Sequence, residues 1–142
     1  MSPANPVVLE TVGGCLCGAL RYRINGKLVD AGYCHCRLCQ RSSGAPVLAW
    51  LTLGNEALEY TQGEPASYSS SAQYQREFCG LCGTQLAFRK KDRPRTVDVT
   101  IASLDHPGQV VPEYHIWVAS RISWFEIKDE LCRYADAGPD VD

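Results

Sequence analysis

The stretch that most constrains this chain is Cys34-His35-Cys36-Arg37-Leu38-Cys39, three thiols within six residues. Side chains at i, i+2 and i+5 cannot all converge on one face of a regular helix or a single strand. They converge if a strand ends at Cys34 and the backbone then hooks around a central atom. Thiolates suit zinc, which accepts a tetrahedral shell without electronic preference. Three ligands leave a fourth position open, so the spacing predicts a reactive zinc site. The hydrophobic stretch Leu28 to Tyr33 is the strand expected to deliver it, and turn-prone Gln40-Arg41-Ser42-Ser43-Gly44 follows.

The other cysteines fall into two pairs and a single. Cys15 and Cys17 sit between Gly13-Gly14 and Gly18, and Cys79 and Cys82 are each followed by glycine. An even total of eight would also suit a disulfide framework. The opening residues, Met1 to Pro6, lack the charged and apolar segments of a secretory signal. No apolar run approaches the roughly 18 residues of a membrane span. A cytoplasmic location is therefore expected, where thiols stay reduced and close C-x-C and C-x-x-C clusters read as metal ligands. Net charge is −2, which gives no general pull toward nucleic acid or an anionic membrane.

The remaining patterns predict a mainly β chain of one domain. Leu20, Tyr22 and Ile24 alternate with Arg21 and Arg23, and Asn25-Gly26 reads as the turn closing that strand. Val47 to Leu53, Glu56 to Tyr60, Tyr74 to Phe78, Thr84 to Phe88 and Thr96 to Ser103 read as further strands. Pro112 to Trp117 and Ile122 to Ile127 are extended segments, with Trp124 and Phe125 expected in the core. Ser67 to Ser71 reads as a solvated loop. Residues 89 to 95 carry five basic side chains and read as an exposed loop tip rather than a nucleic-acid contact. Residues 1–9 read as a leader, 10–134 as the folded domain and 135–142 as an acidic tail.

Cys15, Cys17, Cys79 and Cys82 would make a closed, structural zinc shell, and Cys34, Cys36 and Cys39 a second, open one. Spacing alone does not decide this pairing. The fourth ligand of the open site is a choice among Cys132, a histidine, water and a substrate thiol. Thiolates donate charge strongly, so a three-thiolate metal is a weak Lewis acid and favours binding a thiol over activating water. A thiol entering there loses its proton and becomes a soft nucleophile toward a small electrophile. Arg41, Ser42 and Ser43 either donate to a carboxylate-bearing ligand or form a solvated turn. His115 is either an acid or base beside the reactive site or a satisfied strand histidine. His35 is expected to point away from the metal, Cys132 to be a buried free thiol, and Arg76 to face outward on its strand or to be a salt-bridge partner.

Gly14-Cys15-x-Cys17-Gly18, Cys34-His35-Cys36-x-x-Cys39, Ser43-Gly44, Phe78-Cys79-x-x-Cys82-Gly83 and Pro112-x-x-His115-Ile116 occur in that order. Together they resemble the glutathione-dependent formaldehyde-activating enzyme family, over roughly residues 10 to 130. The resemblance implies an antiparallel β-tent stapled by zinc. It implies two zinc ions per chain, a structural one on Cys15, Cys17, Cys79 and Cys82 and a catalytic one on Cys34, Cys36 and Cys39. The implied partners are glutathione and a small aldehyde, and the implied reaction is carbon–sulfur lyase chemistry on S-hydroxymethylglutathione. The alternative is a non-catalytic zinc-stabilised binding or carrier module, which a fourth protein ligand such as Cys132 would favour.

Overall fold

A computed structural model of the chain describes residues 7–139. Its elements are β1 (Val8–Gly14), β2 (Arg21–Cys34), α1 (Arg37–Ser43), β3 (Leu48–Gly54) and β4 (Leu58–Gln62). Next come β5 (Ala66–Ser69), β6 (Tyr74–Phe78), β7 (Gln85–Lys90) and β8 (Thr96–Thr100). The last two are β9 (Tyr114–Ile116) and β10 (Cys132–Arg133). No helix among the described residues is long and apolar enough to cross a membrane.

All these strands join one open sheet, and β2 is the member that organises it. Its first half pairs with β1 on one edge and β4 on the other. From Leu28 on it pairs with β3, across a register shift between Leu28 and Asp30, and at its end with β9. A bulge of this kind bends and twists a strand, and here it lets one strand serve two arms of the sheet. From β3 the order continues through β8, β7, β6 and β5. The pairings are antiparallel except β2–β9 and β9–β10, which are parallel. The fold is mainly β and a single domain, as the strand patterns predict.

Tyr22, Ile24, Leu51, Leu53, Leu86, Val97 and Val99 fill the core between the arms. They are the inward members of alternating stretches, which is why the period-two pattern finds the strands correctly. Three expectations are corrected. Asn25-Gly26 is no turn: both residues lie inside β2, opposite Glu10 and Leu9. Glycine at 26 serves close packing instead, since a Cβ there would stand 2.6 Å from the Ala57 methyl. Ser67 to Ser69 belong to β5, an edge strand whose exposed side chains read like a loop. Ile122 to Ile127 forms no strand, and Trp124 is exposed rather than in the core.

β1 starts at Val8, with Leu9 buried, so the fold takes in residues 8 and 9. The Ala135 and Asp136 carbonyls accept bonds from the Ala119 and Trp117 amides. Residues 1–6 and 140–142 of the expected leader and tail lie outside the described residues.

Candidate metal centres

All eight cysteines lie among the described residues and none is in a disulfide. Seven fall into two groups whose sulfurs lie within 4.8 Å of one another. These are Cys15 with Cys17, Cys79 and Cys82, and Cys34 with Cys36 and Cys39.

The first group joins two glycine turns distant in sequence, one after β1 and one between β6 and β7. Cys15 Sγ stands 3.6 Å from Cys17 Sγ, and Cys17 Sγ 3.7 Å from Cys79 Sγ. A tetrahedral shell with metal–sulfur bonds of about 2.3 Å has sulfurs about 3.8 Å apart, so the spacing fits zinc. Backbone amides already point at the sulfurs: Leu20 N–H to Cys15 at 3.2 Å and Cys82 N–H to Cys79 at 3.4 Å. Such donors offset the charge of several thiolates around one ion. Gly18 and Gly83 take positive φ, +82° and +84°, which lets each turn fold back on its thiols. The Thr84 hydroxyl, 3.3 Å from Cys82 Sγ, leads the causes that pull that thiol down to about 5. A backbone bond involving Ala19 lowers Cys17, but the Cys15, Cys82 and Cys79 sulfurs and desolvation together outweigh it and raise the thiol to about 11. Without an ion the group therefore shares its charge unequally.

The second group is built as the hook requires. β2 ends at Cys34, Cys36 caps α1, and Cys39 lies in its first turn. Cys36 Sγ accepts the Cys39 amide at 3.2 Å, the bond that starts the helix. Gly44 ends it in the left-handed region at φ +74°. The turn expected at residues 40–44 is thus mostly helix. Cys39 Sγ stands 3.6 Å from Cys34 Sγ, again a metal-shell spacing. Bonds from the Cys34 and Cys39 sulfurs push the Cys36 thiol down, and the Cys36 and Cys39 sulfurs push Cys34 up. Three bare sulfurs this close hold one negative charge readily and resist more; a divalent cation removes that limit.

Cys34, Cys36 and Cys39 line a cavity of about 400 Å³, walled by Trp50, Tyr74, Phe88 and Trp117. Tyr74 and Phe88 stack face to face, with centroids 4.9 Å apart. Arg76 is buried here instead of facing outward, its Cζ 4.9 Å from the Phe88 centroid. Both Nη atoms lie 3.7 Å from Cys39 Sγ, and Nη1 also donates to Gln85 Oε1 at 3.0 Å. Adjacent Glu77 faces the opposite way and pairs with Arg89 at 2.6 Å. The pair Arg76-Glu77 was the available signal: alternation must turn one charge toward each face, and this strand is covered on both.

His35 and His115 are not among the cavity-lining residues. His35 Nε2 lies 2.8 Å from His115 Nδ1, and His115 Nε2 is 2.9 Å from the Asp129 carboxylate. With Nε2–H on both rings, His35 donates to His115 and His115 to Asp129. Burial, then repulsion between a protonated His35 and its neighbours His115 and Arg121, pushes His35 down to about 4. The chain ties the end of β2 to β9 and to the segment before β10. Ser42 and Ser43 donate to the Cys39 carbonyl. Arg41 is exposed and shares a shallow hollow with Arg37 beside α1. Cys132 is exposed, not buried, and belongs to neither sulfur group.

A sequence profile of the glutathione-dependent formaldehyde-activating enzymes matches residues 10–120, most of the chain. The chain belongs to that family. An uncharacterised lyase of Schizosaccharomyces pombe is 29% identical over 79 residues. That alignment takes in 56% of this chain and spans 57% of the yeast protein's length. A Rhodobacter sphaeroides protein of known crystal structure superposes with a TM-score of 0.55 and 26% identity. It covers 66% of this chain and 87% of its own. Both sulfur groups fall within the region the family profile spans.

Proposed function

We infer that the protein is a cytoplasmic zinc-dependent carbon–sulfur lyase. It holds a thiol, glutathione fitting best, at Cys34, Cys36 and Cys39, and forms or cleaves its adduct with a small aldehyde, such as S-hydroxymethylglutathione. The zinc on Cys15, Cys17, Cys79 and Cys82 is structural. One observation carries this reading: three convergent sulfurs, with no fourth protein ligand beside them among the described residues, line a ligand-sized cavity. An open fourth position is supported by Cys132 being exposed and outside this sulfur group, and by His35 and His115 bonding each other away from the cavity lining.

A zinc ion on the three sulfurs would supply the positive charge that lets a bound thiol ionise near neutral pH. The chain's own residues do the rest. The aromatic walls exclude water from the sulfur and strengthen each polar contact inside. Arg37 and Asp98 line the cavity and offer a cation and an anion to the carboxylate and ammonium of glutathione. Arg41, one turn beyond Arg37, extends the cationic rim toward a second carboxylate. Ser42 and Ser43 fix the Cys39 carbonyl and hold the hook in shape. His115 steadies the hook through His35.

Zinc content and cobalt substitution test this reading. The expected result is two zinc ions per chain and a cobalt spectrum at the second site that shifts with glutathione. Release of formaldehyde from S-hydroxymethylglutathione should accelerate, and Cys36→Ser should abolish both effects. A single thiol-indifferent ion would sink the reading. A spectral shift without acceleration would leave a carrier of thiols in place of an enzyme.

A further inference from the structure

The cavity that takes the thiol has aromatic walls, Trp50, Tyr74, Phe88 and Trp117, which a one-carbon aldehyde does not require. Beside it lies a second cavity of about 390 Å³, which shares Tyr74, Phe88, Tyr114, Ile116 and Trp117 with the first. The sulfur group opens into the first alone. Trp117, at the junction, has φ 56° and ψ 37°, a left-handed backbone that costs a non-glycine residue roughly 1 kcal/mol or more. The Asp136 and Tyr134 carbonyls hold it there by accepting from the Trp117 and Val118 amides at 2.8 and 3.0 Å. The fold thus brings the Trp117 indole and the Tyr74–Phe88 stack to the walls of the same two cavities.

The polar groups nearby are incompletely used. Arg76 is 5% exposed, and its Nε–H has no acceptor. Gln85 Nε2, on the amide that accepts from Arg76, and Ser70 Oγ on the cavity wall are also without partners. A buried donor left unpaired costs about 1–3 kcal/mol, so two such groups on the cavity wall, Arg76 and Ser70, with Gln85 behind Arg76, point to an acceptor that a ligand brings.

We propose that the electrophile handled here carries a flat apolar body about one aromatic ring in size, seated between Trp117 and the Tyr74–Phe88 stack, with its carbonyl oxygen accepting from Arg76. This inference rests on the lyase reading and adds the class of aldehyde and a residue that touches it. In the addition, thiolate sulfur forms a bond to the carbonyl carbon while the carbon–oxygen π pair moves onto oxygen. That oxygen takes a proton from water, balancing the one the thiol gave up to water. Arg76 keeps its own protons and stabilises the negative oxygen by charge-assisted hydrogen bonds. Cleavage runs the same steps backwards.

Phenylacetate and acetate are suitable probes of the zinc-loaded full chain by titration calorimetry, because both bring the same carboxylate and only one brings a ring. Phenylacetate should bind at least about tenfold more tightly, the value of burying one ring. Arg76→Gln should weaken phenylacetate about tenfold, and Arg76→Lys, which keeps the charge, should weaken it less. Equal affinities in the wild-type protein would overturn the proposal whether or not the variants fold. With glutathione as the thiol, acceleration over the uncatalysed addition should be about tenfold greater for phenylacetaldehyde than for formaldehyde. A larger acceleration for benzyl mercaptan with formaldehyde would overturn it by moving the ring to the thiol. A cobalt spectrum that shifts with glutathione while phenylacetate fails to bind would remove this inference alone. Loss of both responses would remove the lyase reading with it.

Discussion

Cys15, Cys17, Cys79 and Cys82 come from two glycine turns more than sixty residues apart, and their sulfurs draw hairpins together. Cys34, Cys36 and Cys39 come from one short stretch whose shape a strand end and a helix cap already enforce. Removing an ion from the first group would undo a tertiary link. Removing one from the second would leave the backbone hydrogen bonds of β2 and α1 in place. The same thiol chemistry thus bridges distant turns in one region and sits on a self-supporting hook in the other, and the difference lies in what else holds the backbone.

The sharpest way to break this comparison is Cys79→Ser. We expect it to cost at least about 4 kcal/mol, because a structural metal shell contributes folding energy outright. Chemical denaturation reads this, and a loss no greater than that of Cys36→Ser would contradict the division. Next is Glu77→Gln on β6, the strand leading to Cys79, which should cost about 3 kcal/mol by removing the charge partner of half-buried Arg89 and one of the two buried oxygens that accept from Tyr60 and Gln75. Burial pushes the Glu77 carboxyl up, but Arg89 and its other partners outweigh this and hold it below its ordinary 4.5. The pair's contribution is therefore complete above about pH 4.5 and is lost as pH falls through the lower folded value. Melting temperatures of wild type and variant should converge in acid; a constant gap would show that the charge is not the cause.

Gly32→Ala tests the cavity without touching a cysteine. Its Cβ would lie 2.2 Å from the Tyr114 ring, so overpacking should cost about 2 kcal/mol and weaken ligands in both cavities. An unchanged melting curve would mean that Tyr114 yields freely. Cys36→Ser should cost less than about 1 kcal/mol in stability while removing metal from one site only, read by elemental analysis. Smallest of all, Cys132→Ser should change stability and zinc content by no more than about 0.5 kcal/mol and nothing, respectively. A lost ion would reinstate Cys132 as a ligand.

Much of this was legible in the sequence, for identifiable reasons. Alternation located β6 to the residue, because Tyr74 to Phe78 sits between clear breaks. The cysteine clusters were readable because short spacing forces proximity whatever the fold. Asn25-Gly26 misled, since the same dipeptide serves a tight turn and a close strand contact, and only the position of Ala57 separates them. Trp124 misled because aromatic bulk does not reveal which segment lacks a partner. Arg76 was hidden for a tertiary reason: its burial follows from Phe88 across the β6–β7 pairing and from Cys39 on a distant helix.

The register shift between Glu77 and Phe78 lies between the cavity wall and the Cys79 turn. Side chains in a strand change faces with every residue, so a rigid one-residue slip through β6 would exchange Arg76 for Glu77 beside Cys39. The sulfurs would then face a carboxylate, and the cavity would repel the anions it now attracts. The bulge acts as a joint that absorbs changes in the length of the turn beyond it. A change in the length of the Cys79–Cys82 turn that the bulge takes up would leave Arg76 beside Cys39 and the sign of the nearest charge unaltered.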